Sequence, residues 1–252
     1  MRIDPISTTV MMRSFIAGLL ILLIIGAEAQ ELEMTASTWS PYVDGRLYEH
    51  GVAIAVAGTA LERAGYNPSL TVGSWPQVLI ATQNGTYDVL VGVWFTDERS
   101  AELAFSEPFL NNEIKFLKRS DSDIRYRSID DLIGLRIGVV NDYAYSREAV
   151  STTGIDIAVA GSVRENVESL LAGELDLVLA DARVAIYEVN QLVAAKNVTL
   201  LPEPVMTRGL RIAVSRARPD HNEIIEAFNA AIVSMRSDGS YDSLLANYRI
   251  SL

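Results

Sequence analysis

Short apolar runs bounded by turn-forming residues alternate along the chain with segments whose apolar positions return every three to four residues. The first pattern is that of strands and the second that of amphipathic helices. Strands are predicted at Leu32–Ser37, Ser69–Val72, Val89–Val93, Ile114–Leu117, Arg136–Val140, Ile155–Val159, Leu175–Leu179, Val198–Leu201 and Leu210–Val214. Helices are predicted at Val52–Ala64, Pro76–Asn84, Ile129–Ile133, Tyr145–Thr152, Arg164–Ala172, Ala182–Ala194, Asn222–Ser237 and Tyr241–Tyr248. Such alternation argues for an α/β fold on largely parallel sheets. Punctuation agrees: Gly65 and Gly173 follow predicted helices, Ser128-Ile-Asp-Asp has capping-box form, and Asp238-Gly239 breaks the last two helices. Two strand-like crossings, Phe109–Leu117 and Thr207–Val214, stand out as places where the chain could pass between two lobes.

The apolar run Val89–Val93 has no polar alternation, as expected of a strand covered on both faces. Beyond it come Thr96-Asp97-Glu98-Arg99 and then Phe105-Ser-Glu-Pro-Phe109. Open α/β sheets bind ligands at the carboxyl ends of their strands, so Arg99 is placed to meet one, and its planar fork suits a carboxylate. A surface arginine paired with Glu102 is the plainer alternative. Asp181 ends the apolar run Leu177–Ala180 and is again at a strand's carboxyl end, where it could equally cap the helix that follows. The three tryptophans fall after the first strand (Trp39), at a helix start (Trp75) and at the end of Val89–Val93 (Trp94). They are candidates for stacking on a ligand, with core packing as the alternative. Tyr42 and Tyr143 are weaker candidates for the rim.

The order strand, T-x-x-R, F-S-x-P-F resembles the signature of family 3 bacterial solute-binding proteins, the periplasmic amino-acid receptors of ABC importers. The matching order of elements runs from about Leu32 to Tyr248. The resemblance implies a two-lobed periplasmic-binding-protein fold of type II, two mixed sheets flanked by helices and joined by two hinge crossings. Residues 30–112 and 208–252 would form one lobe and residues 113–207 the other. It also implies that Arg99 takes a ligand carboxylate, that Asp181 takes an ammonium, and that Trp39 and Trp75 sandwich the remainder.

Several positions depart from the family pattern. Val91-Gly92-Val93-Trp94 lacks the usual hydroxyl residue, and Asn141-Asp142-Tyr143-Ala144 replaces a Gly-Ser-Ser/Thr turn. Gly51-Val-Ala-Ile-Ala has lost both aspartates of the usual helix opening, and Ala36-Ser37-Thr38 offers no acidic residue before Trp39. These departures weigh against lysine or arginine as ligand. Asp142, if it faces the cleft, would favour added positive charge or donors.

Composition narrows the classes. The 252 residues carry a formal net charge of −11, which argues against nucleic acid. Arg13, the apolar run Phe15–Ile25 and Ala27-Glu28-Ala29 read as a cleaved signal peptide over residues 1–29, the run being shorter than the ~18 residues of a membrane span. With no cysteine there is no lipid anchor and no disulfide, so the expected product is periplasmic, unlipidated and monomeric. Two histidines far apart and no cysteine give no metal or thiol chemistry, and no nucleophile elbow or nucleotide-binding glycine pattern is present. The expectation is a non-enzyme without cofactor that delivers a small amino-acid-like or polar metabolite to an ABC permease. Two alternatives stand beside it: a cyclohexadienyl or arogenate dehydratase using Glu174 or Asp142 as acid, and a soluble sensing subunit for a membrane kinase.

Overall fold

The computed structural model describes residues 29–141, 154–192 and 195–248. The strands are β1 (Gln30–Ser37), β2 (Tyr66–Gly73), β3 (Val89–Val93), β4 (Leu103–Phe105), β5 (Leu110–Arg119), β6 (Arg136–Val140), β7 (Asp156–Ala160), β8 (Leu177–Asp181), β9 (Val198–Leu200) and β10 (Met206–Ser215). The helices are α1 (Val52–Arg63), α2 (Trp75–Gln83), α3 (Asp97–Ser100), α4 (Val163–Ala172), α5 (Ala182–Gln191), α6 (His221–Asp238) and α7 (Ser240–Ala246).

The strands follow one hydrogen-bonded path, β2-β1-β3-β10-β5-β8-β6-β7, with β4 beside β10 and β9 beside β5. Pairing is parallel for β1 with β3 and for β6 with both β7 and β8. It is antiparallel wherever β5 and β10 take part. The first half of β10, Met206–Leu210, pairs with β5, and its second half, Arg211–Val214, pairs with β3. In turn β5 gives Leu110–Ile114 to β10 and Ile114–Leu117 to β8. The two mixed sheets expected from the sequence are thus the two halves of one curled path, and the β5–β10 ribbon joins them.

Coverage on both faces explains the unbroken apolar runs. Val89 and Val91 of β3 enter one core cluster while Leu90 and Val93 enter another. Likewise Val178 and Ala180 of β8 face the cluster opposite to Leu177 and Leu179. In the first cluster Phe109 and Phe228 meet edge to face at 5.8 Å, and truncating Phe228 to alanine would cost about 3–5 kcal/mol.

Some expectations need correction. Leu103–Phe105 is a strand, β4, because the backbone beyond α3 pairs with β10. The Ile129 segment is a single 3-10 turn, Ile129–Leu132, opened by the expected Ser128 capping box with Asp131. Both crossing strands are longer than their apolar runs, since pairing continues through polar residues such as Asn111 and Arg208. The predicted leader, up to residue 28, and the Tyr145–Thr152 helix lie outside the described residues.

Candidate functional site

Arg99 is set in place by its own short turn. Thr96 caps α3 by accepting from the Arg99 backbone N–H at 3.2 Å. The turn folds the side chain back over the end of β3, where Nη1 donates to the Trp94 carbonyl at 3.0 Å. The guanidinium carbon lies 5.0 Å from the centroid of the Trp75 ring, at the start of α2. Burial draws the Arg99 pKa below its ordinary value, with Glu98 opposing, yet a guanidinium stays charged at any physiological pH.

Arg99, Trp39, Trp75 and Trp94 share the wall of one cavity of about 360 Å³. Ser37, Thr38 and Asn141 add polar atoms to that wall. The size fits a small metabolite. Trp39 and Trp94 meet edge to face at 5.8 Å, so two indoles enter at right angles. Asp142 and Tyr143, next along from Asn141, lie outside the described residues.

Asp181 stands one step behind this wall. It is wholly buried and caps α5, with Oδ1 accepting from the Val184 backbone N–H at 3.0 Å. The Asn112 amide nitrogen donates to Oδ2 at 2.9 Å, and the Tyr42 hydroxyl is 3.1 Å from both oxygens. Asn112 is buried on β5, and its Oδ1 accepts from the Trp94 indole N–H at 2.9 Å. A polar chain therefore runs Trp94–Asn112–Asp181–Tyr42 from the cavity wall into the interior. Burial pushes the Asp181 carboxyl above its ordinary value, against its hydrogen bonds, and pushes the Tyr42 phenol well up.

The cavity thus brings together Arg99 and the three tryptophans, with Asp181 linked to it through Asn112. Sequence reasoning passed over Asn112. The available signal was its register, inward with Leu110, Ile114 and Phe116 on β5. Tyr42, ranked low, is a wholly buried member of the polar chain. Glu174 lines a different cavity, of about 380 Å³, with Arg136, Asn166 and Ser169. Among the described residues no group of three or more His, Asp or Glu side chains could hold a metal ion.

Comparison with known proteins agrees with this architecture. The L-cystine-binding protein TcyJ of Escherichia coli (strain K12) is 26% identical over 207 residues, which cover 80% of this chain and 74% of that protein. The ABC transporter arginine-binding protein 1 of the same organism is 29% identical over 168 residues, 63% of this chain and 64% of its own. A solved histidine kinase sensor domain with similarity to periplasmic binding proteins superposes with a TM-score of 0.70 at 18% identity, over 87% of this chain and 96% of that one. The fold is that of the type II periplasmic binding proteins. Residues 34–250 match the bacterial extracellular solute-binding proteins, family 3, and the chain belongs to that family.

Proposed function

We propose that this chain captures a small amino-acid-like or polar metabolite through its carboxylate and hands it, in the periplasm, to the permease of an ABC importer. The observation that carries the reading is Arg99. It is a half-buried, charged guanidinium in a cavity wall, and its contacts among the described residues are a carbonyl and an indole face rather than a carboxylate. A guanidinium so held can present further N–H donors to an incoming carboxylate in parallel. Trp39, Trp75 and Trp94 then offer rigid apolar surface to the body of the ligand.

In this reading residues 30–112 and 208–252 make one lobe and 113–207 the other. Closure turns on the β5–β10 ribbon, and the closed, liganded form is what the permease distinguishes. The protein acts as a monomer without cofactor, released from a leader that ends at Ala29. Similarity to an L-cystine-binding protein and to an ABC transporter arginine-binding protein supports this class of activity. A thermal-shift screen of the protein begun at Gln30, against amino acids, opines, polyamines and small carboxylates, tests it. A rise in midpoint with one compound class, lost in Arg99→Ala, is expected, because a ligand that binds only the folded state raises its stability. A flat screen overturns it.

The likeness to a histidine kinase sensor domain favours one second reading, output to a membrane kinase instead of a permease. Ligand uptake by vesicles carrying a candidate permease separates the two. A dehydratase reading has less support: of its two candidate acids, Glu174 lines a cavity other than that of Arg99, and Asp142 lies outside the described residues. Steady product formation from prephenate or arogenate would restore it.

A further inference from the structure

We infer that Tyr42 is a selectivity residue: its hydroxyl engages Asp181 and holds that carboxylate out of the ligand cavity, so the cavity takes carboxylates that lack a free α-ammonium group. The inference rests on the receptor reading above and names the ligand class of the same site.

A zwitterion held by Arg99 needs an anionic acceptor for its ammonium. Asp181 is a carboxylate close behind the wall, and its oxygens are already engaged by Tyr42, Asn112 and the Val184 N–H. It has no exposed surface in this arrangement. Asn112 cannot turn away to admit a ligand without also releasing the Trp94 indole, because its amide serves both neighbours.

Tyr42 is built in as firmly. Its ring is fully buried and lies 4.6 Å from that of Trp39. Its backbone N–H donates to the Trp39 carbonyl at 2.8 Å, and its carbonyl accepts from the Ala53 N–H at 3.0 Å. Displacing the hydroxyl would therefore move a loop pinned to the start of α1. Trp39 and Val43 in the same loop do line the cavity, so the loop borders the ligand space through these two residues and reaches Asp181 through the Tyr42 hydroxyl. What the described wall offers a ligand directly is one full charge, the Arg99 guanidinium, with neutral oxygens from Ser37, Thr38 and Asn141. That set matches a 2-oxo acid or aryl carboxylate with a planar body better than its amino counterpart.

Isothermal titration of two matched pairs tests this: phenylpyruvate against L-phenylalanine, and 2-oxoglutarate against L-glutamate. The wild type should bind at least one oxo acid about tenfold more tightly than its amino acid. Tyr42→Phe should shift that preference about tenfold toward the amino acid, and the gain should vanish in Tyr42→Phe/Asp181→Asn. Equal or tighter wild-type binding of the amino acid, or an unmoved preference in Tyr42→Phe, overturns the inference. If Arg99→Ala abolishes that amino-acid binding, the receptor reading survives. No binding of any of the four probes also overturns the inference, and it tells against the receptor reading only when the wider thermal-shift screen is flat as well.

Discussion

The Arg99 guanidinium stacks on the Trp75 indole, its central carbon 5.0 Å from the ring centroid. The stack joins the start of α2 to the last turn of α3, the helices before and after β3 in the chain, and aims a fixed positive charge at the cavity. The arginine adds little to the core, so Arg99→Ala should leave the empty protein within about 1 kcal/mol of wild type, a shift of roughly 2–4 °C in midpoint. Binding of any carboxylate ligand should be lost in the same variant. Differential scanning fluorimetry with and without ligand reads both, and a much larger drop in the empty protein would make Arg99 structural.

Asn112 should behave in the opposite way. Its amide accepts from Trp94 and donates to Asp181 in a dry interior. Asn112→Ala removes both partners at once, and Asp181 keeps its desolvation without one of its donors. A loss of about 2–4 kcal/mol is expected from chemical denaturation, well above a surface substitution. A loss under about 0.5 kcal/mol would mean that the chain of polar contacts carries no stability.

How much of this could be read in the sequence follows from which physical signal each residue leaves. Val89–Val93 and Leu177–Ala180 were legible because double-sided burial removes polar alternation, and the residues just beyond them, Trp94, Arg99 and Asp181, inherited a place at the strand ends. β4 was missed because Leu103–Phe105 follows a helical turn too closely for a period of two to emerge, and only its pairing with β10 makes it a strand. Tyr42 and Asn112 were undervalued for a different reason. Each is satisfied by Asp181 across 139 and 69 residues of sequence respectively, and no local pattern reports a partner so distant. Gly51-Val-Ala-Ile-Ala lacks both aspartates of the family's helix opening, and backbone bonds tie the start of α1 to the preceding loop: Val52 and Ala53 donate to the carbonyls of Pro41 and Tyr42.

That backbone clamp makes Gly51 a sharp test of how the loop seats Tyr42. Gly51 has φ of +101°, and a Cβ there would stand 2.6 Å from the Tyr42 carbonyl oxygen. Neither the conformation nor the contact admits a side chain without moving the loop. Gly51→Ala should cost about 1–3 kcal/mol in folding stability, measured by urea denaturation. It should also disturb the Trp39–Tyr42 ring pair, visible as a change in tryptophan emission. An alanine tolerated without either effect would show that the loop is not held by α1.

The pH dependence of stability separates Asp181 from the other carboxylates. Asp44, bonded to Arg46 and Ser40, and Asp238, bonded to Ser240 and Arg63, have carboxyls held below the ordinary value, Asp238 at about 2. Each stabilises the fold above pH 3.8 and loses that contribution as the pH falls through its folded value. Asp181 is shifted the other way, chiefly by burial. Its folded form binds a proton more tightly than the unfolded chain, so stability declines as the pH rises from 3.8 through the raised value and levels off above it. Asp181→Asn removes that titration and leaves those of Asp44 and Asp238 in place. The midpoint of wild type minus that of Asp181→Asn should therefore fall as the pH is raised from about 4 toward neutrality, and then run flat. A difference that rises over the same interval would mean that Tyr42, Asn112 and the Val184 N–H outweigh burial and hold the carboxylate charged in the folded protein.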